Sequence, residues 1–325
     1  MKTFKQPGIV SILFLGGAKR VAMARMFKAA AAKRKLQCRI VAYELSCHSA
    51  IASEGIVVEG LKWSDPMLYN DIARIIDEYK IDIMLPFVDP AVGVTAEYVT
   101  RYGNVFVPVS PKNLAEKMFD KIASADFFES LSIPIPPTWR HGSPLLGHMI
   151  AKPRFGSASK GIELIDSLRD LYRINGLGDG KYLIQQRFDN RMEYTVDCYA
   201  DITDGHIAAI SPRIRGEVSG GEVVRTTTIA DGKIEELVKH TLTKTGLRGA
   251  VTVQILHDLD SDRLMIMEIN PRLGGGAVAS VHAGVDLPGL IIDNAAGSEL
   301  AYLHPKAGVE TVRYLDDVVF YPDEK

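Results

Sequence analysis

Between residues 9 and 109 the sequence alternates two kinds of segment, and that alternation constrains the fold more than any single motif. Ile9–Leu15 is an apolar run rich in branched residues that ends in Gly16-Gly17. Residues 22–35 are alanine-rich and helical in pattern, and 37–43 are apolar again. Residues 66–79 place Leu68, Ile72, Ile75, Ile76 and Tyr79 at helical spacing. Residues 81–88 predict a strand, 90–102 a helix and 105–109 a short strand. Apolar strands alternating with helices predict βαβ units and a parallel sheet covered on both faces. Such sheets bind ligands at the carboxyl ends of their strands. Those ends here carry Gly16-Gly17, Tyr43-Glu44 and Phe87-Val88-Asp89.

The pattern changes at Ser110-Pro111, an N-cap with proline in the first turn, which predicts one long helix running to about residue 130. Residues 133–138 (Ile-Pro-Ile-Pro-Pro-Thr) are extended, because the prolines forbid a helix. Short strands follow at 148–154, 161–165, 182–188, 193–200 and 206–211. A helix is expected at 231–246, then a hairpin of 250–257 and 263–269 joined by the turn-rich residues 258–262. Residues 278–296 predict a helix interrupted around Gly284 and Pro288, and 311–321 a last strand. This second part predicts an α+β arrangement with antiparallel sheets.

Composition limits the function classes. A length of 325 residues suits about two domains. Lys plus Arg total 38 against 40 Asp plus Glu, a net charge of −2, which argues against a general nucleic-acid binder. Cys38, Cys47 and Cys198 are too few for a disulfide framework and lack zinc-ligand spacing, which fits a reducing compartment. No apolar run reaches the ~18 residues a membrane span needs. Residues 9–17 are a strand rather than a signal peptide, being short and without an A-x-A-like cleavage site. The expectation is a cytoplasmic enzyme that binds neither nucleic acid nor membrane.

Three segments carry chemistry. In the first, Lys152-Pro153-Arg154 ends a strand and a loop of small residues, Gly156 to Gly161, follows. Small side chains let N–H groups approach phosphate oxygens, although a flexible hairpin with solvated lysines has the same composition. The order is not that of a Walker A loop. In the second, Glu268 and Asn270 share a strand face, and the hairpin sets Gln254 opposite Glu268. Met265, Met267 and Ile269 are then expected on the other, buried face. A carboxylate with amide oxygens suits Mg²⁺, and Arg272 stands next to them for a phosphoryl oxygen. In the third, Arg213 and Arg215 share a face, either to hold an anionic group or to make structural ion pairs.

Together these segments resemble the ATP-grasp superfamily, most nearly its carbamoyl-phosphate-synthase large-subunit-like group in a single-half, short form. The resemblance rests on Asp120-Lys121, Lys152-Pro153 with the small-residue loop, residues 182–188, residues 193–197 and Glu268-Ile269-Asn270-Pro271-Arg272. It implies a Rossmann-like pre-ATP-grasp domain over 1–110. An ATP-grasp domain would follow over 111–325, with a small lobe at 111–187 and a large lobe at 188–325.

The resemblance also implies roles. Lys121 and Lys152 would contact ATP phosphates under a lid containing Gly156, Ser157, Ser159 and Gly161. Gln185, Gln186, Arg187 and Phe188 would bind adenine through the backbone, with Glu193 at the ribose. Gln254, Glu268 and Asn270 would hold Mg²⁺, with Mn²⁺ as the alternative ion. Arg272, Arg213 and Lys152 would be catalytic. Gln185-Gln186 departs from the acidic residue often found between the lobes, and Gln254 replaces an often acidic metal ligand.

The implied activity joins a small-molecule carboxylate, activated as an acyl phosphate, to an amine or another nucleophile such as a thiol, releasing ADP and phosphate. Alternatives are a bicarbonate-phosphorylating carboxylase and a non-catalytic ATP-binding protein of the same fold. A nicotinamide oxidoreductase is disfavoured, because Gly16-Gly17 lacks the G-x-G-x-x-G spacing. Enzymes of this kind are often dimers, so a homodimer is an expectation. Lys19 and Arg20 either meet an anionic acceptor or are solvated charges at a helix start.

Overall fold

The computed structural model describes residues 4–156, 160–174, 178–219 and 222–321. Its first part is the expected parallel sheet. β1 (Ile9–Leu15), β2 (Gln37–Glu44), β3 (Ile56–Glu59) and β4 (Ile83–Pro86) lie in the order β3-β2-β1-β4. β1 runs parallel to β2 and β4, and β2 parallel to β3. Helices α1 (Val21–Lys33), α2 (Leu68–Glu78) and α3 (Asp89–Tyr102) cover it. The inner strands are buried on both faces, which is why their sequence is apolar without alternation. β3 is the strand that pattern reading misses: it has four residues, all partly or fully exposed, at the sheet edge.

Residues 105–109 do not form the expected strand; only an isolated bridge pairs Phe106 with Ile83. Pro108, which has no N–H to donate, interrupts any longer ladder. The Pro108 carbonyl instead accepts from the N–H of Ala250 at 3.0 Å. A Cβ on the neighbouring Gly249 would lie 2.1 Å from that carbonyl oxygen, so this approach of the two parts of the chain requires glycine.

The long helix expected from Ser110 is broken in two, α4 (Lys112–Phe119) and α5 (Lys121–Ser130). Asp120 between them is extended, and its carboxylate accepts the N–H groups of Ile122 and Ala123 as the N-cap of α5. Three strands follow, β5 (Met149–Pro153), β6 (Glu163–Ile165) and β7 (Tyr182–Gln186), in the order β6-β5-β7 and antiparallel, with α6 (Leu168–Arg173). Trp139, Met149, Ile165, Leu171 and Ile184 form the core of this unit.

The larger sheet has the order β12-β11-β8-β9-β10-β13. Its strands are β8 (Arg191–Ala200), β9 (Ile207–Ser219), β10 (Glu222–Thr228), β11 (Gly249–Asp258), β12 (Arg263–Asn270) and β13 (Glu310–Val312). β9 is longer than expected, and β10 was not expected. The last strand is only Glu310–Val312; beyond it Tyr314 and Leu315 stand in solvent. Helix α7 (Gly232–Thr245) packs on one face over Val251, Val253, Ile255 and Ile266. The expected interruption near Gly284 separates α8 (Val278–His282) from α9 (Leu287–Ala295).

The parallel sheet and the large sheet share one core. Phe14 and Leu85 of the parallel sheet and Phe27 of α1 cluster with Tyr199 and Ala208 of the large sheet and Leu287 and Ile291 of α9. Arg34, at the end of α1, reinforces this junction. It grips both oxygens of Asp293 at 2.7 and 2.5 Å and reaches Asp286 at 3.2 Å. No helix among the described residues is long and apolar enough to cross a membrane.

Candidate active site

A cleft of about 260 Å³ opens between the three-stranded and the six-stranded sheets. The helix break at Asp120 builds one of its walls. Arg154 grips both oxygens of Asp120, with contacts of 2.8 and 2.5 Å to Oδ2, and the Lys121 N–H donates to the Arg154 carbonyl at 3.1 Å. This staples the start of α5 to the end of β5. Lys121 is thereby held over the loop, its Nζ donating to the Gly156 carbonyl at 2.7 Å. Gly156 has φ of +119°, a conformation side chains rarely adopt. Ser157 and Ser159 lie outside the described residues. Lys160 lines the cleft, while Gly161 backs onto Pro153.

Lys152 projects from β5 into the cleft and donates to Gln185 Oε1 at 3.0 Å. Burial pushes its ammonium below the ordinary lysine range, opposed by the Glu268 carboxylate across the cleft. Gln185 itself is buried and donates to the Pro136 carbonyl at 3.2 Å. Its side chain thus supports Lys152 and does not line the cleft. Gln186, Arg187 and Phe188 do line it. The N–H groups of Gln186 and Arg187 are already bonded to the carbonyls of Pro137 (2.9 Å) and His148 (2.8 Å), so a base at this edge meets other atoms of the segment.

The facing wall is the large sheet. Gln254 stands directly opposite Glu268 in the β11–β12 register, as the hairpin spacing predicts. The expected burial holds for Met265 and Ile269 and is corrected for Met267. The register slips between Gln254 and Ile255, so that Ile255 pairs with Ile266 and Met267 is the extra residue of a β-bulge. The bulge breaks the alternation. Met267 lines the cleft beside Glu268, Met265 packs with Phe188 and Leu256, and Ile266 and Ile269 enter the core beneath α7.

Glu268 Oε1 accepts from Asn270 Nδ2 at 2.7 Å and from Gln254 Nε2 at 3.1 Å. The three side chains therefore converge on one point. Among the described residues no group of three or more His, Cys, Asp or Glu side chains could hold a metal ion. The donor set here is one carboxylate and two amides, which suits a hard ion that takes most of its remaining ligands from phosphate and water. Each amide would have to turn its oxygen towards such an ion.

Six cations among the described residues line the cleft with this carboxylate: Lys121, Lys152, Lys160 and Arg187, and from the large sheet Arg191 and Arg215. Glu193 sits between the two arginines, 3.3 Å from Arg191 and 3.7 Å from Arg215. Sequence reading missed Arg191; its signal was an arginine two residues before Glu193, on the same face of β8. Arg213 does not reach the cleft. It is 2% exposed and pairs with the equally buried Asp197 at 2.8 Å, while Ser280 also donates to Asp197. A Cβ on Gly276 would stand 2.7 Å from its guanidinium, so the glycine run after Arg272 closes over Arg213. Arg272 is turned towards the parallel-sheet side. Its Nε donates to Asp89 at 2.7 Å, at the start of α3.

The comparisons with known proteins agree with this geometry. A family model described as ATP-grasp in the biosynthetic pathway with Ter operon matches residues 180–318. No curated protein matches the sequence. Among solved structures, N5-carboxyaminoimidazole synthetase from Staphylococcus aureus with ADP is similar at a TM-score of 0.73 and 16% identity, over 94% of this chain and 81% of that one. Biotin carboxylase from Campylobacter jejuni gives 0.69 and 16%, over 91% and 73%. L-amino acid ligase from Bacillus licheniformis gives 0.67 and 14%, over 91% and 76%. The three structures are similar to this chain in fold over most of its length, and the family match makes residues 180–318, most of the large sheet, similar to an ATP-grasp family model.

Proposed function

We propose that the protein is an ATP- and Mg²⁺-dependent ligase. It would phosphorylate a small-molecule carboxylate to an acyl phosphate, which an amine then attacks, releasing ADP and phosphate. The observation that carries this reading is the convergence of Lys121, Lys152, Arg191 and Arg215 in one cleft opposite Glu268, with Gln254 and Asn270 bonded to that carboxylate. Phosphoryl transfer needs little covalent help from a protein. It needs positioning and charge neutralisation around the phosphates. Residues 111–187 and 188–325 would be the two lobes that close on the nucleotide.

In this reading Lys121 and Lys152 hold the phosphates and the loop around Gly156 covers them. The apolar walls Ile150, Ile162, Leu256 and Met267 take the base. Glu268, Gln254 and Asn270 would hold Mg²⁺, which supplies charge neutralisation at the phosphate oxygens. Arg272 would act at the transferred group, and Asp89 positions it. Arg213 would act from beneath, by fixing the glycine run. The N5-carboxyaminoimidazole synthetase and biotin carboxylase likenesses keep bicarbonate among the acceptors to be tried.

The test is ADP formation with Mg²⁺ over a matrix of carboxylates and amines, with bicarbonate as a separate arm. A carboxylate that stimulates ADP release only when an amine is present, with the effect lost in Glu268→Gln, supports the ligase. Stimulation by bicarbonate without any organic carboxylate would replace it with the carboxylase. ADP release that no acceptor stimulates, unaltered in Glu268→Gln, would sink both.

A further inference from the structure

A second cavity, of about 450 Å³, lies at the carboxyl edge of the parallel sheet, outside the cleft described above. Gly16, Ala18 and Lys19 after β1, Tyr43, Glu44 and Leu45 at the end of β2, and Leu61, Lys62, Trp63 and Val88 line it with Arg20. Glu44 is its unusual member. The N–H groups of Gly17 and Ala18 donate to its carboxylate, yet its Oε1 is shielded from solvent and has no hydrogen-bond partner. A buried acceptor of this kind is costly to leave unpaired, and a ligand donor would satisfy it.

The same arrangement says what does not bind. The N–H groups of the loop after β1 are the donors that would hold a phosphate in a sheet of this type. Here the Glu44 carboxylate occupies them, so a phosphate would meet a carboxylate in place of free donors. Most of the remaining wall is apolar or aromatic: Tyr43, Leu45, Leu61, Trp63 and Val88. Tyr43 and Trp63 lie with ring centroids 6.3 Å apart. Lys19 and Lys62 are exposed at the rim.

We propose that this cavity binds an amino acid with a large apolar side chain, its ammonium donating to Glu44 Oε1, its side chain against Trp63 and Leu61, and its carboxylate at Lys19 and Lys62. The cavity adjoins the nucleotide-side machinery through two contacts. Val88 in its wall precedes Asp89, which holds Arg272. Arg20 in its wall packs against Gly275, where a Cβ would stand 2.9 Å from its guanidinium. That the bound amino acid serves as the attacking amine rests on the ligase reading; the binding itself does not.

Calorimetric titration of the wild-type chain at pH 8, without nucleotide, tests the site with three probes. L-Phenylalanine carries both charges, phenethylamine only the amine and 3-phenylpropanoate only the carboxylate. The expected order is phenylalanine tightest and phenethylamine next, with 3-phenylpropanoate roughly tenfold or more weaker than phenylalanine, the worth of a charge-assisted hydrogen bond. Glu44→Gln should weaken phenylalanine by a similar factor, and Trp63→Ala should weaken all three. Binding of 3-phenylpropanoate as tight as phenylalanine, no binding of any probe, or unchanged affinity in Glu44→Gln overturns the proposal. The probe comparison on the wild type stands even where a variant does not fold. Binding without stimulation of ADP formation by any amino acid would leave the site and overturn its role as the amine subsite. Amine-dependent ADP formation without binding here would do the reverse.

Discussion

In the cleft between the two antiparallel sheets, charge is carried by long side chains from separate elements, six cations among the described residues lining the same space as Glu268. At the edge of the parallel sheet the one acidic group among the described residues is a carboxyl that main-chain N–H groups hold in place, with Lys19 and Lys62 at the rim. The first arrangement suits a polyanion that arrives with its own counter-ion and leaves. The second suits a small ligand with one donor. Two contacts join the regions, Arg272 with Asp89 and Arg20 against Gly275, so they sit back to back around the glycine run 274–276.

The largest effect should come from the buried pair under that run. Arg213→Met leaves Asp197 1% exposed and without its cation, a loss of about 3–5 kcal/mol of stability in denaturant unfolding. A loss of turnover with unchanged stability would show instead that Arg213 acts at the substrate. Glu268→Gln should keep the fold and lower acceptor-stimulated ADP formation by on the order of 10²–10³-fold, the scale of a lost charge-stabilising group. An unaltered rate would move the metal elsewhere.

Glu44 separates the two regions by pH. Burial raises its carboxyl from 4.5 to about 7, against the pull of the Gly17 and Ala18 N–H groups. A carboxyl whose pKa rises on folding contributes stability that is present below pH 4.5 and lost as pH climbs through 7. Relative to Glu44→Gln, the wild type should therefore lose roughly 1–3 kcal/mol between pH 4.5 and 8, measured as the difference in unfolding midpoints. A pH-independent difference would mean that the carboxyl titrates normally. The smallest effect is expected from Asp89→Asn, which loosens Arg272 and should lower turnover by about tenfold while leaving nucleotide affinity within about twofold. A parallel loss of affinity would make Asp89 a structural residue of the nucleotide cleft.

How much of this was legible in the sequence follows from how local each signal is. The parallel sheet was readable because strands buried on both faces are apolar throughout, and the Gln254–Glu268 pairing because a hairpin fixes its own register. Three features were not. No glycine or proline marks the break at Asp120, since the cause is Arg154, 34 residues away. The bulge at Met267 leaves no mark in composition, yet it turns Met267 from the core to the cleft. Arg213 and Arg215 share a strand face and meet different ends: one is sealed under glycines with Asp197, the other lines the cleft by Glu193. Which face a residue takes can be read from spacing; what covers that face depends on distant chain.

The most direct test of the central claim is calorimetric binding of ADP with and without Mg²⁺ to the wild type and to Lys152→Met. The account expects saturable one-to-one binding that tightens with Mg²⁺ and weakens by roughly tenfold or more in Lys152→Met, the scale of one charged phosphate contact. Absence of binding, or binding indifferent to both Mg²⁺ and Lys152, would contradict it.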